Sequence, residues 1–128
     1  MTSALETHIL AALMYGEPSA QRLSETLQSL RLSGELLICG AVDAELLAGR
    51  EVMPARLDHV LQAVNVRVDW TIDEAVWRSA GTAVAASTGR RRTSGGGTPH
   101  RVLADFVIGA HAASHAAQLV TLDAQIPA

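Results

Sequence analysis

The sequence predicts an α/β domain with a central parallel sheet of about four strands and helices on both faces. Three observations predict it. Short apolar runs of strand length alternate with longer segments whose apolar residues repeat at helical spacing. Glycine, proline and capping residues separate these segments. The chain has 128 residues, 48% of them hydrophobic, which fits one core, so we expect one domain over residues 1–128.

The first strand and the first two helices are predicted at residues 2–5, 9–15 and 20–33. The strand is a weak candidate because the residues before Leu5 carry little apolar bulk. Gly-Glu-Pro ends the first helix. Ser19 is a suitable cap for the second helix, whose leucines form one stripe, and Gly34 ends it. The stripe is expected to pack on the sheet.

The middle of the chain predicts two further strands with two helices between them. Residues 36–39, LLIC, form a continuous apolar run, as expected of a buried parallel strand. Gly40 leads from it into a short helix that carries Asp43 and Glu45. Pro54 suits the first turn of the next helix. Valines alternate with an arginine at residues 66–68, which predicts the third strand.

A long helix and a loop follow the third strand. Residues 71–74, TIDE, form a capping box, which predicts a helix that runs to about Thr88. The next residues, GRRRTSGGG, end in three glycines, so residues 89–97 are predicted to be a mobile loop. Because this loop leads directly into the helix that bears Asp105, we expect it to border any site that contains Asp105.

The last helix and strand carry two carboxylates. Thr98 and Pro99 fit the start of a helix that contains Asp105, and residues 118–121 predict a strand that ends just before Asp123. The carboxyl ends of parallel strands form the edge where such sheets bind ligands. Two carboxylates held together there repel each other, which favours a bound cation such as Mg²⁺ or Mn²⁺. The alternative is that Asp105 pairs with Arg101 and Asp123 only opens a turn.

Two more acids follow predicted strands. Glu6 comes directly after the first strand, and Glu45 lies in the helix after the second. Because strand ends converge at one edge of a parallel sheet, we expect Glu6, Glu45, Asp105 and Asp123 to share one cleft. The alternative for Glu45, and for Asp43 beside it, is a water-facing position in the first turn of a helix, where acids are favourable.

Composition excludes several classes of protein. The formal net charge is −3, which disfavours a general nucleic-acid binder. The single cysteine, Cys39, indicates a reducing compartment, and we expect the cytoplasm. Residues 9–14 are too few to span a membrane, and Glu6 stands where a signal peptide would carry positive charge. We therefore expect neither export nor membrane insertion.

Three familiar kinds of site are also excluded. The chain has no lysine, so it lacks the lysine of receiver domains and of phosphate-binding P-loops. His111 and His115 have a spacing that suits zinc, but HAASH lacks the glutamate of the zinc hydrolase motif. We interpret these two histidines as part of a polar helix face.

Three segments, ALETHILAALMYGEP, AVDAELLAG and LADFVIGAHAASHAAQLVTLD, make the chain resemble the PIN domain, the nuclease fold of VapC-type toxins in bacterial toxin–antitoxin pairs. Members of that family resemble one another through an Asp-Thr/Ser-Asn/Ser opening, a later Glu, an Asp in an A-D-x-x-I-A-A helix and a T-x-D after the next strand. The resemblance covers nearly the whole chain. It implies a PIN-like fold and metal-dependent cleavage of RNA phosphodiester bonds.

The resemblance also implies roles for individual residues. Carried over by position, it implies an acidic cluster with two neighbouring hydroxyls: Glu6, Glu45, Asp105, Asp123, Thr7 and Thr121. Asp105 and Asp123 would be the principal ligands of Mg²⁺ or Mn²⁺, with Glu6 as a further ligand. Glu45 would be a ligand or would orient water. A small antitoxin protein as partner and a homodimer are also implied.

The run of Arg90, Arg91 and Arg92 is a candidate for binding the RNA backbone. All ten basic residues are arginine, so any phosphate contact would come from guanidinium groups. The alternative is a solvated charge run without a ligand.

The first segment departs from the family pattern. Glu6 stands where Asp is expected, and His8 stands where Asn or Ser is expected. An extra methylene moves a carboxylate by more than about one ångström, an error that catalytic geometry tolerates poorly. The rival hypothesis is therefore a catalytically degenerate PIN-fold protein that binds a partner without cutting RNA. The chain also ends soon after Asp123, where the family adds another strand, which predicts a shortened sheet edge.

Overall fold

The structure, a computed structural model, describes residues 1–94, 103–122 and 125–127. The strands are β1 (Ser3–Leu5), β2 (Leu36–Cys39), β3 (Val66–Asp69), β4 (Gln118–Val120) and β5 (Gln125–Pro127). The helices are α1 (Thr7–Met14), α2 (Ala20–Ser33), α3 (Gly40–Leu47), α4 (Pro54–Ala63), α5 (Glu74–Ser94) and α6 (Leu103–His115).

The sheet has the order β3-β2-β1-β4-β5. Strands β1 to β4 are parallel, which confirms the predicted α/β class and its four parallel strands. Strand β5 is antiparallel to β4, with Leu119 opposite Ile126. The prediction of a shortened sheet edge is therefore wrong. The segment Gln-Ile-Pro contains one large apolar residue, and this is too little to predict a strand from sequence.

The core lies where helices cover the central strands. Every residue of β1 and β2 is buried, as expected of parallel strands with helices on both faces. The buried side chains of Leu5, Ile9, Leu36 and Ile38 belong to the main cluster. Polar groups in this layer are paired, since the buried Gln118 Nε2 donates to Ser3 Oγ at 2.9 Å. That bond fixes β4 against β1.

Helix ends differ from the predictions at two places. Asp73, and not Thr71, caps α5, because Asp73 Oδ1 accepts the Val76 amide at 3.0 Å. The Thr71 amide instead donates to Asp69 Oδ1 at 3.1 Å. At the start of α2, Ser19 has helical dihedral angles and makes no side-chain capping bond. Local capping patterns thus identified the two helices correctly but not the capping contacts.

Helix α5 extends to Ser94, beyond the predicted end at about Thr88. The segment of Arg90, Arg91 and Arg92 is therefore helical, and the prediction of a loop there is wrong. Arginine favours helix almost as strongly as alanine, so the helix has no reason to end before the glycines. Residues 95–97 of the predicted loop lie outside the described residues, as does the predicted helix start at Thr98 and Pro99. No helix in the described part of the chain has the length and apolar character that crossing a bilayer requires.

Candidate active site

Glu6, Glu45 and Asp105 line one cleft at the carboxyl edge of the parallel strands. Glu6 follows β1 directly, and its amide donates to Val120 O at 3.2 Å, which joins the ends of β1 and β4. Glu45 lies on α3, which begins directly after β2, and Asp105 lies in the first turn of α6. The topology thus brings together three of the four predicted acids, which are far apart in the sequence.

The walls of the cleft hold two of these carboxylates through side-chain contacts. Thr7 Oγ1 donates a hydrogen bond to Glu45 Oε1 at 2.5 Å. His8 Nδ1 lies 3.5 Å from Glu6 Oε1, and the His8 side chain is 73% exposed while that of Glu6 is 26% exposed. Ile108 and Leu119 form the apolar part of the wall. Glu45 is therefore held inside the cleft, unlike the water-facing position that we considered for it.

The donor set of the cleft suits a hard divalent cation. Three carboxylates and the Thr7 hydroxyl offer oxygen atoms, which Mg²⁺ and Mn²⁺ prefer as ligands. The cleft holds about 90 Å³, enough for a cation that keeps several waters. Among the described residues that line it, His8 is the one whose side chain can become positively charged. The residues present therefore fit the metal that the sequence predicts.

The other predicted site residues are not among those that line the cleft. Asp123 lies outside the described residues. Thr121 is partly buried directly after β4, so its backbone is at the same edge of the sheet. Arg90 is exposed near the end of α5, which continues through Arg91 and Arg92. A role for these arginines in RNA binding stays a prediction.

Asp43 is buried within α3 and does not line the cleft. Burial raises the pKa of its carboxyl, and the nearby Asp58 raises it further. The alternative that Asp43 faces water is wrong, because its position on the helix points into the protein, one turn from the buried Leu46.

His111 is also buried, at 1% exposure, so the interpretation as a polar helix face is wrong for this residue. Its Nε2 lies 2.8 Å from Asp69 Oδ2, at the end of β3. The hydrogen bond with His111 lowers the pKa of the Asp69 carboxyl, and the bond from the Thr71 amide lowers it further. Sequence reasoning missed this contact because the two residues are 42 positions apart and no local pattern links them.

An apolar groove lies beside the cleft. Its lining is formed by α3, α5, α6 and the segment before α5: Ala41, Ala44, Glu45, Ala48, Ile72, Trp77, Leu103, Ala104 and Val107. Trp77 is 50% exposed and Leu103 is 53% exposed, although both are large apolar side chains. Glu45 is the single charged residue in this lining and also lines the acidic cleft. The groove and the cleft are therefore continuous through Glu45.

Comparison with known proteins identifies the fold family. The family model described as PIN domain matches residues 4–128. The chain belongs to the PIN domain family. This PIN domain is also similar to the solved structure of VapBC2 from Rickettsia felis bound to a DNA fragment from their promoter. The TM-score is 0.66 at 19% identity, over 94% of this chain and 87% of that one. No curated protein matches the sequence.

Membership in the PIN family indicates what kind of chemistry the acidic cleft is suited to. The family is one of nucleases and includes the toxins of toxin–antitoxin pairs. The acidic cleft of this PIN domain lies at the edge of the sheet where parallel α/β folds bind ligands. Its similarity to the Rickettsia felis structure concerns the fold, which the two chains share over most of their length.

Proposed function

We propose that this PIN domain is a metal-dependent ribonuclease and the toxin component of a toxin–antitoxin pair. The observation that carries the proposal is the convergence of Glu6, Glu45 and Asp105 on one cleft. In a family of nucleases, three carboxylates at that edge are the donor set that phosphodiester cleavage with Mg²⁺ or Mn²⁺ requires.

Each acid has a proposed role. Asp105 and Asp123 are the principal metal ligands, and Glu6 is a further ligand whose longer side chain changes the geometry. Glu45 binds metal or orients the attacking water. The Thr7 hydroxyl holds Glu45 Oε1, so Glu45 Oε2 is the oxygen that faces the metal or the water. Thr121 is the second supporting hydroxyl. When bound, Mg²⁺ or Mn²⁺ lowers the pKa of a coordinated water and stabilises charge on the phosphate.

Binding of the RNA backbone is proposed for Arg90, Arg91 and Arg92. The three arginines occupy consecutive positions of α5. Their guanidinium groups can each form a bidentate contact with phosphate. The proposed setting is the cytoplasm, and the proposed assembly is a homodimer.

The proposal predicts a metal requirement in the purified protein. Titration with Mn²⁺ should show binding, and RNA should be cleaved only when Mg²⁺ or Mn²⁺ is present, because three neighbouring carboxylates need a cation to bind a phosphate. Cleavage should stop when a chelator is added. If the protein neither binds Mn²⁺ at millimolar concentration nor cleaves RNA, the second candidate function applies.

That second candidate is a catalytically degenerate PIN domain that acts as a partner-binding module, and the apolar groove favours it. Four of the nine residues that line the groove are alanines, and the exposed Trp77 and Leu103 are also part of the lining. Such a surface fits the apolar face of an amphipathic helix. A basic residue on that helix could reach Glu45, at the border of the acidic cleft. The proposed occupant of the groove is a small antitoxin. Its binding there is compatible with both candidate functions.

Replacing Trp77 with Glu should disrupt antitoxin binding, because it puts a charge in the apolar groove. We expect the proposed antitoxin to copurify with the parent after coexpression and to be lost from Trp77→Glu. Trp70→Glu is the matched control, since Trp70 is 68% exposed and does not line the groove. Equal recovery with Trp77→Glu and Trp70→Glu would contradict this site for the antitoxin.

A further inference from the structure

Three potential metal ligands come together at the end of β3, among residues that do not line the acidic cleft. Asp69 is the last residue of β3, and His111 and His115 occupy successive turns of α6. Their ligand atoms all lie within 4.8 Å of one another. The two imidazole rings are 4.9 Å apart between centroids, at an angle of 41°. Asp73 is adjacent, with its Oδ2 atom 3.5 Å from His115 Nε2.

Backbone amides hold the carboxylates of Asp69 and Asp73 in place without a bound metal. Asp69 Oδ1 accepts the Thr71 amide, which leaves Oδ2 to face His111. Asp73 Oδ1 accepts the Val76 amide at the start of α5, which leaves Oδ2 to face His115. In each carboxylate, one oxygen thus holds the backbone and the other faces an imidazole. Such orientation lowers the cost of forming a metal site.

We propose that Asp69, His111, His115 and Asp73 bind a divalent transition-metal cation such as Zn²⁺. Imidazole nitrogen and carboxylate oxygen are ligands that Zn²⁺ accepts in tetrahedral sites. Two carboxylates and two neutral imidazoles also balance the charge of the cation. In this site His111 coordinates through Nε2 and carries its proton on Nδ1.

Two of the observed distances are close to those that a tetrahedral site requires, and the ligand atoms of Asp69, His111 and His115 lie within 4.8 Å of one another. With metal–ligand bonds of about 2.0–2.1 Å, neighbouring ligand atoms are about 3.3 Å apart. His111 Nε2 and Asp69 Oδ2 are 2.8 Å apart, and His115 Nε2 and Asp73 Oδ2 are 3.5 Å apart. Because the His115 side chain is 36% exposed, its rotation can close the remaining gap. The buried His111 and the sheet residue Asp69 need little movement.

This site is separate from the acidic cleft. A negative result for the metal site would therefore not contradict the proposed function. His111 follows Asp105 by six residues, about 9 Å along the axis of α6. A bound cation would join α6 to the end of β3 and to the start of α5. Its role would therefore be structural, as a tie that holds the helix on which Asp105 lies.

The test uses the 128-residue chain with Asp105→Asn as background, because this change is expected to abolish divalent-cation binding in the acidic cleft. Calorimetric titration with Zn²⁺ alone should show one site, and Zn²⁺ should raise the midpoint of thermal unfolding, because it binds the folded state. Adding His115→Gln should weaken Zn²⁺ binding about tenfold or more and remove the thermal shift. His115 is the residue to change because it is exposed and its replacement does not disturb the core.

His59→Gln in the same background is the matched control, since His59 is an exposed histidine on α4. It should bind Zn²⁺ as the background protein does. Co²⁺ in place of Zn²⁺ gives a second readout, because tetrahedral coordination by nitrogen and oxygen produces visible absorption that should be lost in Asp73→Asn. Absence of Zn²⁺ binding in the background protein, or equal affinity in His115→Gln and His59→Gln, would overturn the proposal.

Discussion

Replacing Asp105 with Asn is expected to abolish Mn²⁺ binding at the acidic cleft and to lower RNA cleavage by about 100-fold or more. The change removes one charge from a cleft whose described lining holds three carboxylates, while it keeps the size and shape of the side chain. Metal titration and a cleavage assay on the purified variant measure the two effects. Circular dichroism and thermal unfolding should show that the fold is retained.

Asp58→Asn is the control for this experiment. Asp58 is exposed on α4 and does not line the cleft, so its replacement removes the same charge from the surface. We expect its metal binding and cleavage to equal those of the parent. Cleavage by Asp105→Asn at the parental rate would show that the activity does not depend on this cleft.

Replacing Glu6 with Asp should have the opposite effect on Mn²⁺ binding and RNA cleavage. The shorter side chain withdraws the carboxylate by about one methylene and restores the length that the family pattern has at this position, so Mn²⁺ should bind more tightly and cleavage should rise by about tenfold. The shorter side chain also increases the distance between the carboxylate and His8 Nδ1, which is 3.5 Å in the parent. A carboxylate oxygen is thereby freed for the metal. The measurements are the same titration and assay.

Glu6→Gln is the matched control, because it keeps the length of the parental side chain and removes its charge. It should weaken Mn²⁺ binding, whereas Glu6→Asp strengthens it. The ribonuclease hypothesis would be abandoned if the parent bound no Mn²⁺ at millimolar concentration and Glu6→Asp gained neither binding nor cleavage. His8 would then be expected to keep the site inert, and the partner-binding function would remain.

The fold could be predicted from the sequence wherever a segment has one dominant signal. The apolar run Leu36–Cys39 is a strand with the predicted ends, because no helical pattern competes with it. Strand β5 could not be predicted, since its pairing with β4 and not its own residues makes it a strand. The sequence predicts too early an end for α5, because the three glycines of GRRRTSGGG indicate a loop, whereas the arginines before them have high helix propensity.

The acidic cleft was predictable for a different reason. Glu6 and Glu45 follow adjacent parallel strands, and strand order alone brings such residues to one edge. The contact of Asp69 with His111 had no such signal, because it depends on how α6 packs beside the end of β3. Topology can therefore predict which strand ends meet, but side-chain pairs that depend on helix packing appear only in three dimensions.

The position of β1 in the middle of the sheet has a consequence for synthesis of the protein on the ribosome. Strand β1 is made first, yet one of its two neighbours is β4, which is more than 110 residues later. Contacts between such distant segments form late in folding, because the chain between them must be ordered first. The nascent chain therefore has no complete acidic cleft until α6 and β4 have emerged. Any chemistry that depends on the complete cleft therefore requires that β4 has already been synthesised.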